Sequence, residues 1–233
     1  MHRRQLLFTG LGITLPLTAA AQDPASAWFI FLNKGTSKTP LAPEDAKRMQ
    51  AEHMANIQRL GKLGKTRIVG PLGDNGFTRG IMVLEVATRA EVTESFREDP
   101  FVKHDYLSLD VYRCRVSAQS LGKPSETEIG QHAIAFVKRA GSSPAPGDEK
   151  TFADLGAMLP ELGPRRKSGD IPIVLEFSGN GAFLGALLFR APGAAAVQSW
   201  AAELAAVKRG LITVEAHPQY LAAGLISPRD AAQ

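Results

Sequence analysis

One cysteine, Cys114, in 233 residues leaves no internal disulfide, so the packed core alone must hold this chain together. A small buried strand residue is the plain reading of that thiol. Long apolar runs are also missing. Leu6 to Leu17 is short and broken by Gly10, Gly12 and Pro16, which argues against a spanning helix. With Met1-His2-Arg3-Arg4 before it and Ala19-Ala20-Ala21 after it, the stretch reads as a secretory signal over residues 1–21. Arg3-Arg4-Gln5-Leu6-Leu7 also resembles a twin-arginine signal. Both routes lead to an exported, periplasmic protein whose mature form does not span a membrane.

Charge of one sign is in short supply too. There are 27 Lys+Arg against 23 Asp+Glu, a net charge of +4, and removal of Arg3 and Arg4 with the signal halves that excess. Arg165-Arg166-Lys167 is the densest basic run and has no aromatic residues interleaved. It reads as a solvated turn, so no nucleic-acid partner is expected. A Gly-rich phosphate loop is absent, as is a Ser/His/Asp set around a nucleophile turn.

What the chain does have is a repeat at a fixed offset of 105 residues. Phe31 falls on Phe136, Gly64 on Gly169, Ile68-Val69 on Ile173-Val174, Gly80 on Gly185 and Val92 on Val197. Two units of about a hundred residues are ordinary domain sizes. The expected boundaries are 27–117 and 130–227, with a polar linker at 118–129 and a short tail at 228–233. Each unit reads strand, helix, strand, strand, helix, strand. In the first, strands are expected at 28–33, 66–69, 80–87 and 106–116, with helices from Pro43 to about Leu63 and from Thr88 or Arg89 to Glu98. In the second, strands are expected near 133–138, 171–177, 183–190 and 210–216, with helices near 149–162 and 194–208.

That order is the ferredoxin-like split βαβ arrangement, an α+β fold with both helices on one sheet face. The other face should be polar if it meets water. Here both faces are apolar: Trp28, Ile30 and Leu32 alternate with Phe29 and Phe31. The bare face therefore needs a cover. Packing the two sheets against each other within one chain, as an internal pseudo-dimer of the dimeric α+β barrel type, supplies it.

On a helical period His53 falls inside the apolar stripe of Met49, Ile57 and Leu60. An inward imidazole needs partners for two ring nitrogens. Asp99 is the candidate: Pro100 disfavours helical geometry at Asp99 and leaves its carboxylate at a helix exit. Side-by-side helices on one sheet can bring the two together. A carboxylate on one ring nitrogen fixes the tautomer and frees the other to move a proton near neutral pH. At the repeat offset His53 falls on Met158 and Asp99 on Leu204, so only the first unit keeps the pair. His104-Asp105 could join them in a metal set, but no tight spacing motif supports one.

His53, Gly70-Pro71, the Gly-containing hairpin and Asp99-Pro100-Phe101 together resemble a YCII-related domain over about Trp28 to Val116. The resemblance implies a ferredoxin-like α+β fold that pairs through its open sheet face, and His53 with Asp99 as an active-site dyad. Around them Gly70, Pro71, Phe101 and His104 are the expected ligand-contacting residues. The second unit departs from the pattern, with Leu175-Glu176 for Gly-Pro and Leu204-Ala205 for Asp-Pro.

The resulting expectation is a lyase or isomerase that needs no metal or organic cofactor and acts on a small cyclic or aromatic substrate. The competing expectations are a non-catalytic ligand-binding module and a structural scaffold. Further self-association of the chain is left open.

Overall fold

The computed structural model describes residues 27–118, 121–125, 127–141, 151–179, 181–190 and 193–226. The expected signal at 1–21 and tail at 228–233 lie outside the described residues, as do linker residues 119, 120 and 126.

The first half runs β1 (Ala27–Lys34), α1 (Pro43–Lys62), β2 (Thr66–Pro71), β3 (Thr78–Glu85), α2 (Arg89–Phe96), α3 (Pro100–Lys103) and β4 (Leu107–Ala118). Pro43 starts α1, with Glu44 and Asp45 in its first turn and Arg59 and Lys62 in its last, matching the helix dipole at both ends. Gly64, at φ +68°, carries the chain out of it. Thr88 caps α2 by accepting the Glu91 N–H at 3.2 Å. The helix expected to end at Glu98 is α2. It stops at Arg97, and Asp99 then opens α3 as its N-cap. Proline forces this break, because it is tolerated in a first turn but not in a helix interior.

The second half runs β5 (Ile129–Arg139), α4 (Leu155–Met158), α5 (Leu162–Lys167), β6 (Ile173–Phe177), β7 (Phe183–Phe189), α6 (Ala194–Ala202), α7 (Ala205–Lys208) and β8 (Ile212–Ala222). The single long helix expected near 149–162 is not there. Residues 151–154 are non-helical, and Pro160 separates two short helices by pushing Leu159 to φ −131°, ψ 75°.

The strand order is β2-β3-β1-β4-β6-β7-β5-β8. Each half is thus a four-stranded antiparallel ferredoxin-like sheet, and the fold is α+β. The halves meet in two ways. Edge to edge, β4 and β6 pair from Cys114↔Phe177 to Ala118↔Ile173. Arg115 reinforces that seam with a 2.6 Å ion pair to Glu176. The far edges, β2 and β8, touch through the bridge Leu72↔Gln219 and the Gly73 N–H to Pro218 carbonyl bond at 2.9 Å. Face to face, the two bare sheet faces share one core. Phe31 lies 5.0 Å edge-on to Phe136 and Phe29 lies 4.7 Å from Phe177. Such pairs each add about 0.5–1.5 kcal/mol beyond the area they bury. Two further cores separate each sheet from its helices.

Candidate active site

α1 crosses the outer face of the first sheet and turns Met49, His53 and Leu60 inward. His53 is 8% exposed and Asp99 is fully buried. Their contact, Nδ1 to Oδ2, is 2.7 Å. As the N-cap of α3, Asp99 also accepts at Oδ1 from the N–H groups of Phe101 (3.2 Å) and Val102 (3.4 Å). Asn56, one turn along α1 from His53, donates to Oδ2 at 3.4 Å and to the Ser95 carbonyl at 3.2 Å. Arg59 in turn donates to the Asn56 side-chain oxygen at 2.7 Å. A carboxylate accepts only, so Nδ1 of His53 carries the proton and Nε2 is left with its lone pair when the ring is neutral. The Phe101 ring stands edge-on to the imidazole at 5.5 Å and restricts its rotation.

A cavity of about 680 Å³ opens beside His53. Leu32, Ile57, Val69, Phe101 and Tyr106 give it an apolar body. Gly70 and Pro71 also line it. Gly70 has a physical reason to be glycine: a Cβ there would lie 1.8 Å from the Tyr220 carbonyl oxygen of β8. His104 is a different case. It is exposed at the C-cap of α3 and is not among the cavity-lining residues, because the tight turn of α3 carries it to the outer surface. Asp105 is likewise exposed, at φ +57°. Among the described residues no three His, Cys, Asp or Glu side chains converge as metal ligands.

The cavity wall also contains residues that the sequence reading did not single out. Lys34 and Arg79 come from neighbouring strands of the first sheet. Ser125 and Glu128 come from the segment joining the halves, Ile129 from the start of β5 and Tyr220 from β8. That joining segment is held in place by the Ser125 N–H to Ala223 carbonyl bond (2.7 Å) and the Ala223 N–H to Glu128 carbonyl bond (2.8 Å). Asn56 was findable, since it lies three residues after His53 on the same helix face. The contributions of β8 and the joining segment depend on a tertiary contact with no local signal.

The family model of the YCII-related domain matches residues 27–114. The first half of the chain is a YCII-related domain. The match ends at Cys114, so the second four strands lie beyond it. A solved structure of a candidate monooxygenase from Lactobacillus acidophilus NCFM is similar over 86% of this chain and 97% of its own, at 9% identity and a TM-score of 0.44. No curated protein matches. Within the YCII domain, His53 reaches the cavity wall and Asp99 stands behind it.

A second His–carboxylate contact joins His217 of β8 to Asp74 of the β2–β3 hairpin. Partial burial pushes the Asp74 carboxyl up. The His217 hydrogen bond, the Gly76 N–H and the His217 charge outweigh that and hold it below the usual carboxylate range. Neither residue lines the cavity. Burial pushes the Cys114 thiol far above its ordinary value, which makes it chemically inert.

Proposed function

We propose that the cavity beside His53 binds a small cyclic or aromatic molecule and that the His53–Asp99 dyad performs acid–base chemistry on it, as a lyase or isomerase. Nε2 of His53 takes a proton from the substrate. In an isomerisation it returns that proton to another atom; in an elimination the departing group leaves with the electron pair of the broken bond. Asp99, held by the α3 N–H groups and Asn56, keeps the ring in one tautomer and balances the positive charge it gains. These residues carry the step alone, without metal or organic cofactor.

The observation that carries this reading is a fully buried carboxylate bound at 2.7 Å to an imidazole that lines a cavity of about 680 Å³. A pure scaffold would have no use for such a cavity. A ligand-binding module would, and product analysis separates it from an enzyme: ligand stabilisation without conversion favours binding alone. For the enzyme, His53→Ala and Asp99→Asn lose turnover on an identified substrate while still binding it. Full turnover in both variants contradicts the dyad.

We further propose that residues 130–227 are a degenerate copy of the YCII unit that covers the bare sheet face and supplies one wall of the site. The signal at 1–21 makes the protein an exported one. N-terminal sequencing of the mature form tests this, and a form that keeps Met1 in the cytoplasm contradicts it.

A further inference from the structure

The cavity is apolar along most of its wall but carries two cations that no described carboxylate neutralises. Lys34 ends β1, and Arg79 is the second residue of β3. The Lys34 N–H bonds the Phe77 carbonyl at 2.7 Å, which sets the two residues at the same end of adjacent strands. Arg79 gives one hydrogen bond, to the Asn75 carbonyl at 3.0 Å. Neither forms an ion pair among the described residues, unlike Arg48, Arg67, Arg97 and Lys103 of the same half, which meet carboxylates. Glu128, from the joining segment, is the acidic residue of the cavity wall.

We infer that the site selects a small molecule with an apolar ring and a single anionic group, and that Lys34 and Arg79 receive that group. The inference rests on the reading of this cavity as a ligand site, and it deepens it by naming the substrate class. The ring sits among Leu32, Ile57, Val69 and Phe101, within reach of His53. Glu128 disfavours a second negative charge, so monoanions bind better than dianions.

The test is equilibrium binding by titration calorimetry and thermal shift, using the full chain with benzoate and 2-naphthoate against benzamide and 2-naphthamide. The amides match the acids in shape and lack the charge. The acids are expected to bind about tenfold tighter than the amides, with Lys34→Ala and Arg79→Ala each costing about fivefold for the acids and leaving the amides unchanged. Raising salt from about 50 to about 500 mM narrows the gap. Both side chains are exposed, so the variants are expected to melt like the parent, which separates loss of binding from loss of fold. Equal binding of acid and amide, unaltered acid binding in the double variant, or no acid binding overturns the inference. His53→Ala keeps the acid preference even while it abolishes turnover, so failure of the dyad and failure of the anion site give different results.

Discussion

Asp99 and Leu204 occupy the same place in the two halves and do opposite things. Each is the N-cap of a four-residue helix, with φ −69°, ψ 120° at Asp99 and φ −59°, ψ 133° at Leu204. Asp99 caps α3 with its own carboxylate and holds an imidazole. Leu204 is 1% exposed and packs with Leu155, Leu159 and Leu162, while Glu161 reaches across to cap Ala205 at 3.1 Å. The fold therefore builds this corner equally well from apolar residues. Replacing a buried polar network with well-packed apolar side chains is often neutral or stabilising, so the fold does not need the network in the first half. What the first half gains is a histidine at the wall of a cavity.

Four experiments would break or sharpen that contrast. The largest effect is on catalysis: His53→Ala and Asp99→Asn are expected to lower turnover on an identified substrate by about 10²–10⁴-fold, whereas Met158→Ala leaves it unchanged. Stability should treat the two corners alike. Leu204→Ala is expected to cost about 2–5 kcal/mol in denaturant unfolding as an apolar core loses volume. Asp99→Ala loses the cap and also strands the buried His53 donor, and should cost about 3–5 kcal/mol, comparable to its counterpart. Gly70→Ala forces a methyl against the Tyr220 carbonyl and is expected to cost about 1–3 kcal/mol while opening the β2–β8 seam beside the cavity. At the equivalent position the second half carries Leu175 within a regular β4–β6 ladder.

The smallest effects are on pH dependence. Burial pulls the His132 imidazole below its ordinary value, against the bond to the Arg190 carbonyl. The unfolded chain then binds a proton that the folded chain resists, so stability falls as pH drops below about 6.5. His132→Gln should flatten that slope in melting curves between about pH 5 and 7. Asp74 acts at lower pH. Its depressed folded value gives stability that is present above about pH 4 and is lost as pH falls through the folded value. His217→Ala should remove this contribution at the β2–β8 seam and leave the β4–β6 seam untouched.

Much of this architecture is legible in the residues, because alternation and turn chemistry are local. The two-faced strands Trp28–Leu32 announced a cover for the bare sheet, and Phe136 and Phe177 supply part of it. The expected Gly-containing hairpin turns at Asp74-Asn75-Gly76, where Asn75 sits at φ +53°. The pairing of His53 with Asp99 followed from a helical stripe and a proline. The break at Pro100 was read from the sequence; the one at Pro160 was also written there, but periodicity alone ran a helix through it. The edge-to-edge seam of β4 with β6 was not legible, since apolar strand residues do not say which edge they will meet. Nor was the cavity wall from Ser125, Glu128, Ile129 and Tyr220, which exists only once the two halves have docked. His104 stood close to Asp99 in sequence, and a single helical turn carries it to the exposed side.

Nitrogen-15 NMR of the His53 ring tests the central claim most directly, because it reads the proton on each nitrogen without needing a substrate. The expected result is an Nδ1–H, Nε2-unprotonated imidazole in the parent chain at mildly alkaline pH, loss of that preference in Asp99→Asn, and a response of Nε2 to a ligand in the cavity. An Nε2–H ring, or one indifferent to both Asp99 and ligand, would contradict it.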